Sequence, residues 1–272
     1  DLITLFLESS PWDVTLDNQG RIWIGKDGFQ DGLLRYDDIT DTSASYTSDD
    51  VFNATAVDFD KMNSYIYYIE SYEGINIQRK AVSPTSVGPS EYFYPEIESD
   101  VIGFYDRALA VDNAGFLYFF GGDAGERDAL FKYDVTKPEG SRIVAKYNKD
   151  IVIPSDFYGC IDVLAKMNSI YVTNKNGAEG KKLLKFDKNL SLIQSYGTST
   201  SEPDEEGAFF GPERFVATTG RKITLTDEIQ ESAGGNGDDR LVSLTDTDGI
   251  SWDSYYMPQS CGGSDVFNFF HC

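Results

Sequence analysis

The sequence predicts an all-β fold, namely a β-propeller built from four-stranded antiparallel blades. A unit of strand, tight turn, aromatic strand, polar loop and apolar strand recurs five times along the 272 residues. The aromatic strands of successive units start near Ile22, Ile66, Leu117, Ile170 and Ile223, which are 44, 51, 53 and 53 residues apart. Helical periodicity of useful length is missing, and Phe, Trp and Tyr make up 14% of the chain, which suits the wedge-shaped gaps between twisted blades.

Each repeat reads as four short strands, labelled a to d from the propeller axis outwards. Strand a is an apolar run such as residues 109–111, because a strand buried on both faces lacks in-and-out alternation. An Asp-Asn-x-Gly turn at residues 17–20 and 112–115 leads into strand b, since these residue types tolerate positive φ. Strand c follows as Leu-Leu-Arg-Tyr-Asp or a similar segment, and strand d carries an aromatic residue in every repeat. These aromatic residues are Tyr46, Tyr92, Tyr147, Tyr196 and Tyr255.

The repeats fill most of the chain, so residues 1–272 are expected to form a single propeller domain. Five blades account for the five units. Residues 3–7 and 265–270 remain at the two ends, and they either pair to close the ring or form a degenerate sixth blade, which leaves six blades as the alternative. Closure with strands from both ends would remove exposed sheet edges.

The charge of the chain excludes one class of partner. There are 45 acidic against 23 basic residues, a formal net charge of −22. Nucleic-acid affinity depends on Lys and Arg that neutralise phosphates, so no nucleic-acid partner is expected. No apolar stretch reaches the length of a membrane span. The expected state is a monomer whose partner is a protein or a small polar ligand.

The repeat resembles a known family of propeller units. The pattern apolar-Asp-x-x-Gly-x-Ile/Leu-aromatic-Ile/Phe, then Leu-x-x-Tyr/Phe-Asp, is similar to the NHL-type repeat of the TolB-like and SMP-30-like group. Residues 14–36 and 111–133 carry it well, residues 163–186 less well, and residues 57–79 and 216–244 weakly. The resemblance implies blade geometry. Relatives include binding and scaffolding modules, RNA-binding domains with a basic face, and lactonases or lyases with a divalent cation at the axis.

The cation of the lactonase-like relatives is held by Glu, Asn and Asp side chains at the starts of strands a. In this chain the matching positions supply Asp13, Asn53 and Glu213, whereas the third and fourth repeats supply Arg107 and Gly159. This departure disfavours the enzymatic interpretation. No bound cofactor is therefore expected, with Ca²⁺ at the axis as the alternative.

Other catalytic arrangements have little support. The single histidine, His271, lies next to the last residue, and no Gly-x-Ser-x-Gly motif is present, which argues against a Ser-His-Asp triad. A glycosidase-like set of carboxylates is a weaker alternative, for which the candidates near strand a are Asp13, Asp58, Asp106, Asp162 and Glu213. No catalytic residue is assigned.

The two ends of the propeller differ in their connections. The d–a and b–c connections, here named the loop rim, are acidic and include the two long connections at residues 198–212, which contain the cluster at residues 202–206, and 227–240. The a–b and c–d turns lie at the opposite end, here named the turn rim, and the a–b turns are short. Binding residues concentrate on long loops of a rigid scaffold, so the loop rim is the expected binding face. The side chains expected to meet a ligand where strands a start are Trp12, Asp13, Asn53, Arg107, Tyr158, Glu213 and Arg214.

The sequence thus favours a non-enzymatic ligand- or protein-binding propeller, with a Ca²⁺-dependent lactonase-like hydrolase as the alternative. Arg107 and Arg214 are the sharpest candidates, because a guanidinium beside an apolar strand needs a carboxylate or an anionic ligand. The spacing of Cys261 and Cys272 allows a disulfide. Together with the missing initiator Met, it favours an exported or surface-displayed protein, such as a periplasmic protein or a lipoprotein.

Overall fold

The computed structural model describes residues 11–26, 31–70, 76–93, 101–123, 129–138, 140–147, 163–166, 169–177, 180–199, 207–209, 212–219, 222–227, 240–245 and 253–256. Their regular secondary structure consists entirely of β-strands. Five four-stranded sheets recur in chain order, and in each sheet the strands follow one another as predicted. The all-β propeller class predicted from the sequence is confirmed.

Sheets one to three take up the first half of the chain. Sheet one contains β1 (Pro11–Leu16), β2 (Ile22–Lys26), β3 (Leu33–Tyr36) and β4 (Tyr46–Thr47). Sheet two contains β5 (Ala54–Asp60), β6 (Tyr65–Glu70), β7 (Asn76–Val82) and β8 (Val87–Phe93). Sheet three contains β9 (Val101–Val111), β10 (Leu117–Asp123), β11 (Ala129–Tyr133) and β12 (Ile143–Tyr147).

The second half of the chain forms sheets four and five and a small additional sheet. Sheet four contains β13 (Val163–Lys166), β14 (Ser169–Gly177), β15 (Gly180–Asp187) and β16 (Leu192–Tyr196). The additional sheet pairs β17 (Thr198–Ser199) with β18 (Ala208–Phe209) in parallel. Sheet five contains β19 (Pro212–Thr219), β20 (Lys222–Asp227), β21 (Arg240–Thr245) and β22 (Asp253–Tyr256).

The innermost strands of successive sheets lie next to one another, β1 beside β5, β5 beside β9 and β9 beside β13. Between sheets four and five, β14 lies beside β19. The strand order therefore confirms the predicted course from strand a at the inside to strand d at the outside. Residues 3–7 and 265–270, which were predicted either to close the ring or to form a degenerate sixth blade, lie outside the described residues.

Large apolar side chains fill the spaces between neighbouring sheets. Trp23 and Leu33 of sheet one pack with Val57 and Tyr68 of sheet two. The same arrangement recurs between sheets two and three, three and four, and four and five. Burial of about 150–250 Å² per aromatic residue makes these contacts the main cohesive term of the fold. The aromatic content therefore has the structural role that the sequence predicts.

A cross-strand pair of an aromatic and a basic residue recurs in four of the five sheets. Strand b supplies the ring and strand c the cation, in the pairs Trp23–Arg35, Tyr67–Arg79, Tyr118–Lys132 and Tyr171–Lys185. The Arg35 guanidinium lies 5.8 Å from the Trp23 ring centre, and Lys185 Nζ lies 5.6 Å from that of Tyr171. Sheet five has Thr224 and Ser243 at this position, with their hydroxyls 2.8 Å apart. The sequence analysis did not identify this repeat.

The connection between sheets four and five is more ordered at its base than expected. The sequence predicts a long loop at residues 198–212. In the structure β17 and β18 form a parallel bridge there, and Phe209 is fully buried. Tyr171, Leu183 and Phe209 share one apolar cluster. The base of the acidic loop is therefore fixed to the sheets, through contacts that are distant in sequence.

Candidate functional site at the loop rim

The innermost strands pair irregularly with strand b where they start at the loop rim. In sheet one, Trp12 is an extra residue between the Pro11–Lys26 and Asp13–Gly25 pairs. In sheet two, Thr55 is the extra residue, between the Ala54–Glu70 and Ala56–Ile69 pairs. Such β-bulges redirect side chains and leave ladder groups unpaired, and they are enriched beside functional sites.

Sheets three and five show the same irregularity at the same end. In sheet three, residues 105–108 stand opposite Phe120 alone, because Leu109 pairs with Phe119 and Phe104 with Gly121. In sheet five, Glu213 and Arg214 together stand opposite Thr226. The start of strand a in sheet four, at residues 158–162, lies outside the described residues. Interrupted pairing at the loop rim is thus a property of four of the five innermost strands.

The backbone of the segment before β5 adopts a demanding conformation. Asn53 has a φ of 47° and Asp31, on the facing connection, a φ of 60°. Gly32 donates its amide to the Val51 carbonyl at 2.8 Å. A Cβ on Gly32 would lie 2.9 Å from the Asn53 nitrogen, so only glycine fits between the two connections. Left-handed backbone at non-glycine residues is costly, but Ser64 and Leu190 at the turn rim also adopt it, so it does not distinguish the two ends.

A buried polar network of sheet two holds this segment in place. Glu70 is 7% exposed, and its Oε1 accepts a hydrogen bond from the Phe52 amide at 2.7 Å. Its Oε2 accepts one from Gln78 Nε2. The Tyr68 hydroxyl donates to Gln78 Oε1 at 2.9 Å, and burial raises the pKa of Tyr68. The network holds the Phe52–Asn53 backbone in place from within sheet two.

An ion pair extends the network towards solvent. Lys80 is 2% exposed and its Nζ lies 2.7 Å from both carboxylate oxygens of Asp50, which also accepts hydrogen bonds from Ser48 and Ser90. Burial alone would raise the pKa of Asp50, but the hydrogen bonds from Lys80, Ser48 and Ser90 and the charge of Lys80 lower it to about 2. Asp50 is therefore ionised at neutral pH and anchors the connection that leads to Asn53.

Two aspartates join neighbouring innermost strands. Asp13 is 5% exposed, and its carboxylate accepts hydrogen bonds from the Val14 amide and from the Val57 amide of sheet two, both at 2.9 Å. Asp58 accepts one from the Phe59 amide at 2.7 Å and one from the Val111 amide of sheet three, also at 2.7 Å. Thr15 Oγ1 donates to Asp58 at 3.1 Å. These carboxylates stabilise the contact between adjacent blades near the axis.

Hydrogen bonds and an ion pair between neighbouring sheets hold the turn rim together. Asn18 Nδ2 donates to the Lys61 carbonyl at 2.9 Å, which links the a–b turns of sheets one and two. Lys132 Nζ donates to the Lys188 carbonyl at 2.8 Å, and Lys188 Nζ lies 3.5 Å from Asp112, which links sheets three and four. These contacts hold the turn-rim connections of neighbouring sheets together, and the loop rim stays the predicted binding face.

The site residues predicted from the sequence map onto the irregular strand starts. Trp12 and the Glu213–Arg214 pair are the residues at the bulges of β1 and β19, and Arg107 lies within the unpaired stretch of β9. Asp13 follows the bulge of β1 and Asn53 directly precedes β5. Tyr158 lies outside the described residues. The structure places the described residues of this set at one end of their sheets, and their ligand contacts remain a prediction.

Several residues of this region were not identified from the sequence as parts of a site. Glu70 closes the apolar run Tyr-Ile-Tyr-Tyr-Ile, and a carboxylate at the end of such a run is the one local signal that could have pointed to it. Gly32 bonds to Val51, and Lys80 pairs with Asp50, which is 30 positions away in the chain. Only the folded chain brings these partners together.

In the part of the chain that the structure describes, no group of three or more His, Cys, Asp or Glu side chains is placed to hold a metal ion. None of the described segments is a helix long and apolar enough to cross a membrane.

Comparison with known proteins shows a structural likeness. No family model matches the chain, and no curated protein matches it. Among solved structures, the chain is similar to the extracellular domain of a protein assigned as a hybrid two-component system from B. thetaiotaomicron, with 18% sequence identity and a TM-score of 0.48. The match covers 93% of this chain and 29% of that protein's chain, so this chain spans less than a third of its length.

Proposed function

We propose that this propeller is a non-enzymatic binding module, and that its loop rim recognises a small polar ligand or a segment of a partner protein. The interrupted strand pairing at Trp12, Thr55, residues 105–108 and Glu213–Arg214 carries this proposal. β-Bulges redirect side chains, and at one end of four blades they would present donors and acceptors to a common ligand. The acidic composition of the connections would repel anions that do not fit.

The arrangement supports recognition better than bond breaking. The Asp13 carboxylate is bonded to two backbone amides, so it is poorly placed to act as a nucleophile, a general base or a sole metal ligand. Arg107 and Arg214 stand at irregular positions of β9 and β19, where a guanidinium can hold a carboxylate or phosphate group of a ligand. The proposed ligand therefore carries an anionic or polar group.

A thermal-shift screen with small carboxylates, phosphates, sugar acids and amino acids tests this proposal. A binding compound raises Tm, and the rise should vanish in Arg107→Ala and Arg214→Ala while the Tm of the free protein stays nearly unchanged. Arg142→Ala, which makes the same charge change beside a turn-rim connection, is the matched control and should keep the shift. Equal loss of Tm in Arg107→Ala and Arg214→Ala without ligand would instead show that both arginines form structural ion pairs.

The Ca²⁺-dependent hydrolase remains the alternative, and calorimetric titration with CaCl₂ separates the two. A tight Ca²⁺ site that is lost on substitution of Asn53 or Glu213 would favour the enzyme. An extracytoplasmic location is also part of the proposal. Its test is the mass of the unreduced protein, because a Cys261–Cys272 disulfide lowers the mass by two hydrogen atoms relative to the reduced form.

A further inference from the structure

The outer edge of sheet four differs from the other outer edges of the propeller. Outer strands expose unpaired backbone groups, and natural proteins protect them by short length, proline or charge. β4 has two residues, β8 contains Pro89 and Glu91, β12 contains Lys146 and β22 contains Asp253. β16 has the sequence Leu-Ile-Gln-Ser-Tyr, with neither a charge nor a proline.

The apolar side chains of this edge are exposed. Leu192 is 37% and Ile193 56% exposed, and these are two of the five exposed large hydrophobic residues in the part of the chain that is described. Ile193 is an extra residue between the Lys185–Gln194 and Phe186–Leu192 pairs, so a bulge turns the strand at that point. β8 and β12 have equivalent irregularities, and the bulge therefore does not distinguish β16 from them. Gln194, Ser195 and Tyr196 continue in regular pairing with β15.

The charge of sheet four is opposite to that of the whole chain. Residues 163–199 contain six lysines and two acidic residues, a net charge of +4, whereas the chain as a whole carries −22. These lysines are Lys166, Lys175, Lys181, Lys182, Lys185 and Lys188. A basic sheet beside an unprotected edge is electrostatically complementary to an acidic segment and repels a basic one.

We propose that β16 is a docking edge for an extended acidic segment of a partner protein, which adds a fifth strand to sheet four. The partner strand would pair with the backbone of Gln194 and Ser195, and its apolar side chains would cover Leu192 and Ile193. Backbone hydrogen bonds supply affinity in this mode of recognition, and alternate side chains supply specificity. This surface lies at the outside of the propeller and is independent of the proposed loop-rim site.

The test uses two synthetic hexapeptides and the isotope-labelled protein. The acidic probe is acetyl-Glu-Val-Thr-Val-Glu-Val-amide, and the basic probe has Lys in place of each Glu. We expect the acidic peptide to shift the backbone amide resonances of residues 192–196 and of β15, with binding that weakens as NaCl is raised. The basic peptide should bind at least about tenfold more weakly, because its charge has the same sign as that of sheet four.

Two matched substitutions locate the binding. Ile193→Glu removes an apolar side chain that the peptide would cover and adds a like charge, so it should weaken binding of the acidic peptide about tenfold or more. Tyr92→Glu makes the same change on β8, where Tyr92 is 57% exposed, and should leave binding unchanged. Circular dichroism confirms that both variants fold.

Three results would overturn the proposal. The first is no shift of residues 192–196 with the acidic peptide at millimolar concentration, and the second is equal binding of the two peptides. The third is a concentration-dependent dimer in sedimentation equilibrium that Ile193→Glu abolishes, because the edge would then pair with a second copy of this chain.

Discussion

Three aspartates at equivalent positions show how single residues organise the blades. Asp17 and Asp112 close their a–b turns by accepting the amides of the second and fourth residues that follow, and Asp60 accepts the Met62 and Asn63 amides. The second carboxylate oxygen of Asp17 receives the Trp23 indole at 3.0 Å, and that of Asp112 the Tyr118 hydroxyl at 3.1 Å. The sequence predicted the turns from their Asp-Asn-x-Gly pattern. It could not show that the same side chains also fix the buried aromatic of strand b.

Asp13 is expected to stabilise the contact between the first two blades. Asp13→Ala removes the acceptor of the Val14 and Val57 amides in a buried position, and we expect the free energy of unfolding to fall by about 2–3 kcal/mol. Urea denaturation measures the change. Asp37→Ala, which removes an exposed ion pair with Arg35, is the control and should cost less than about 1 kcal/mol. A similar cost for the two variants would contradict a specific role for Asp13.

The ion pair of Asp50 should make the free energy of unfolding depend on pH in the acid range. Its pKa in the folded state is about 2, below the value of about 3.9 for an unperturbed aspartate. Because the folded pKa is the lower one, the stabilisation is fully present above about pH 4 and is lost as the pH falls towards 2. The side chain of Asp50 is 46% exposed, so solvent screening reduces the expected contribution to about 1 kcal/mol.

Urea denaturation of Asp50→Asn and of the unsubstituted protein between pH 5 and 2 tests this dependence. The difference between the two proteins should shrink as the pH is lowered, since protonated Asp50 no longer attracts Lys80. A difference that stays constant over this range would show that the ion pair is not the cause.

The strands were predictable from the sequence because their signals are local. Short apolar runs, the Asp-Asn-x-Gly turns of the first and third repeats and a tyrosine in each outer strand are visible without knowledge of any partner. They define β2, β6, β10, β14 and β20 and their neighbours. The bulges of β1, β5 and β19 were not predictable, because an extra residue is defined only by the strand that it opposes. The bridge between β17 and β18 escaped prediction for the same reason, since each strand has only two residues.

Close packing of the first two sheets depends on a glycine of β2. A Cβ on Gly25 would lie 2.6 Å from the Ala54 carbonyl oxygen and 2.9 Å from Val57 Cγ1, so Gly25→Ala must push β5 away from β2. Overpacking of this kind typically costs about 1–3 kcal/mol, and we expect a cost in that range by urea denaturation. Gly88→Ala is the control, because its nearest contact would be an ordinary 3.4 Å to Ala81 Cβ. Equal stability of Gly25→Ala and the unsubstituted protein would show that the two sheets can separate freely.

At the scale of the whole molecule, the two ends of the propeller differ in their contacts. Hydrogen bonds between neighbouring sheets hold the turn rim together, whereas four innermost strands pair irregularly at the loop rim. The sequence predicted the loop rim as the binding face from connection length and charge. The ligand contacts of the loop rim remain a prediction, because a ligand recognises the combined surface of several blades rather than any one repeat.

The net charge of −22 should limit the stability of the whole propeller at low ionic strength. Like charges on a compact surface repel one another, and the unfolded chain relieves this repulsion by separating them. Raising NaCl shortens the screening length from about 30 Å at 0.01 M to about 8 Å at 0.15 M, so Tm should rise with salt.

A gain of about 1 kcal/mol in the free energy of unfolding corresponds to a rise in Tm of roughly 2–4 °C for a chain of this size class, which scanning calorimetry resolves readily. The buried pair Arg21–Asp17 and the half-buried pair Lys80–Asp50 lose less to screening than fully exposed charges do, and they should not reverse the trend. A Tm that falls with NaCl would show instead that attractive ion pairs outweigh the net repulsion in the folded state.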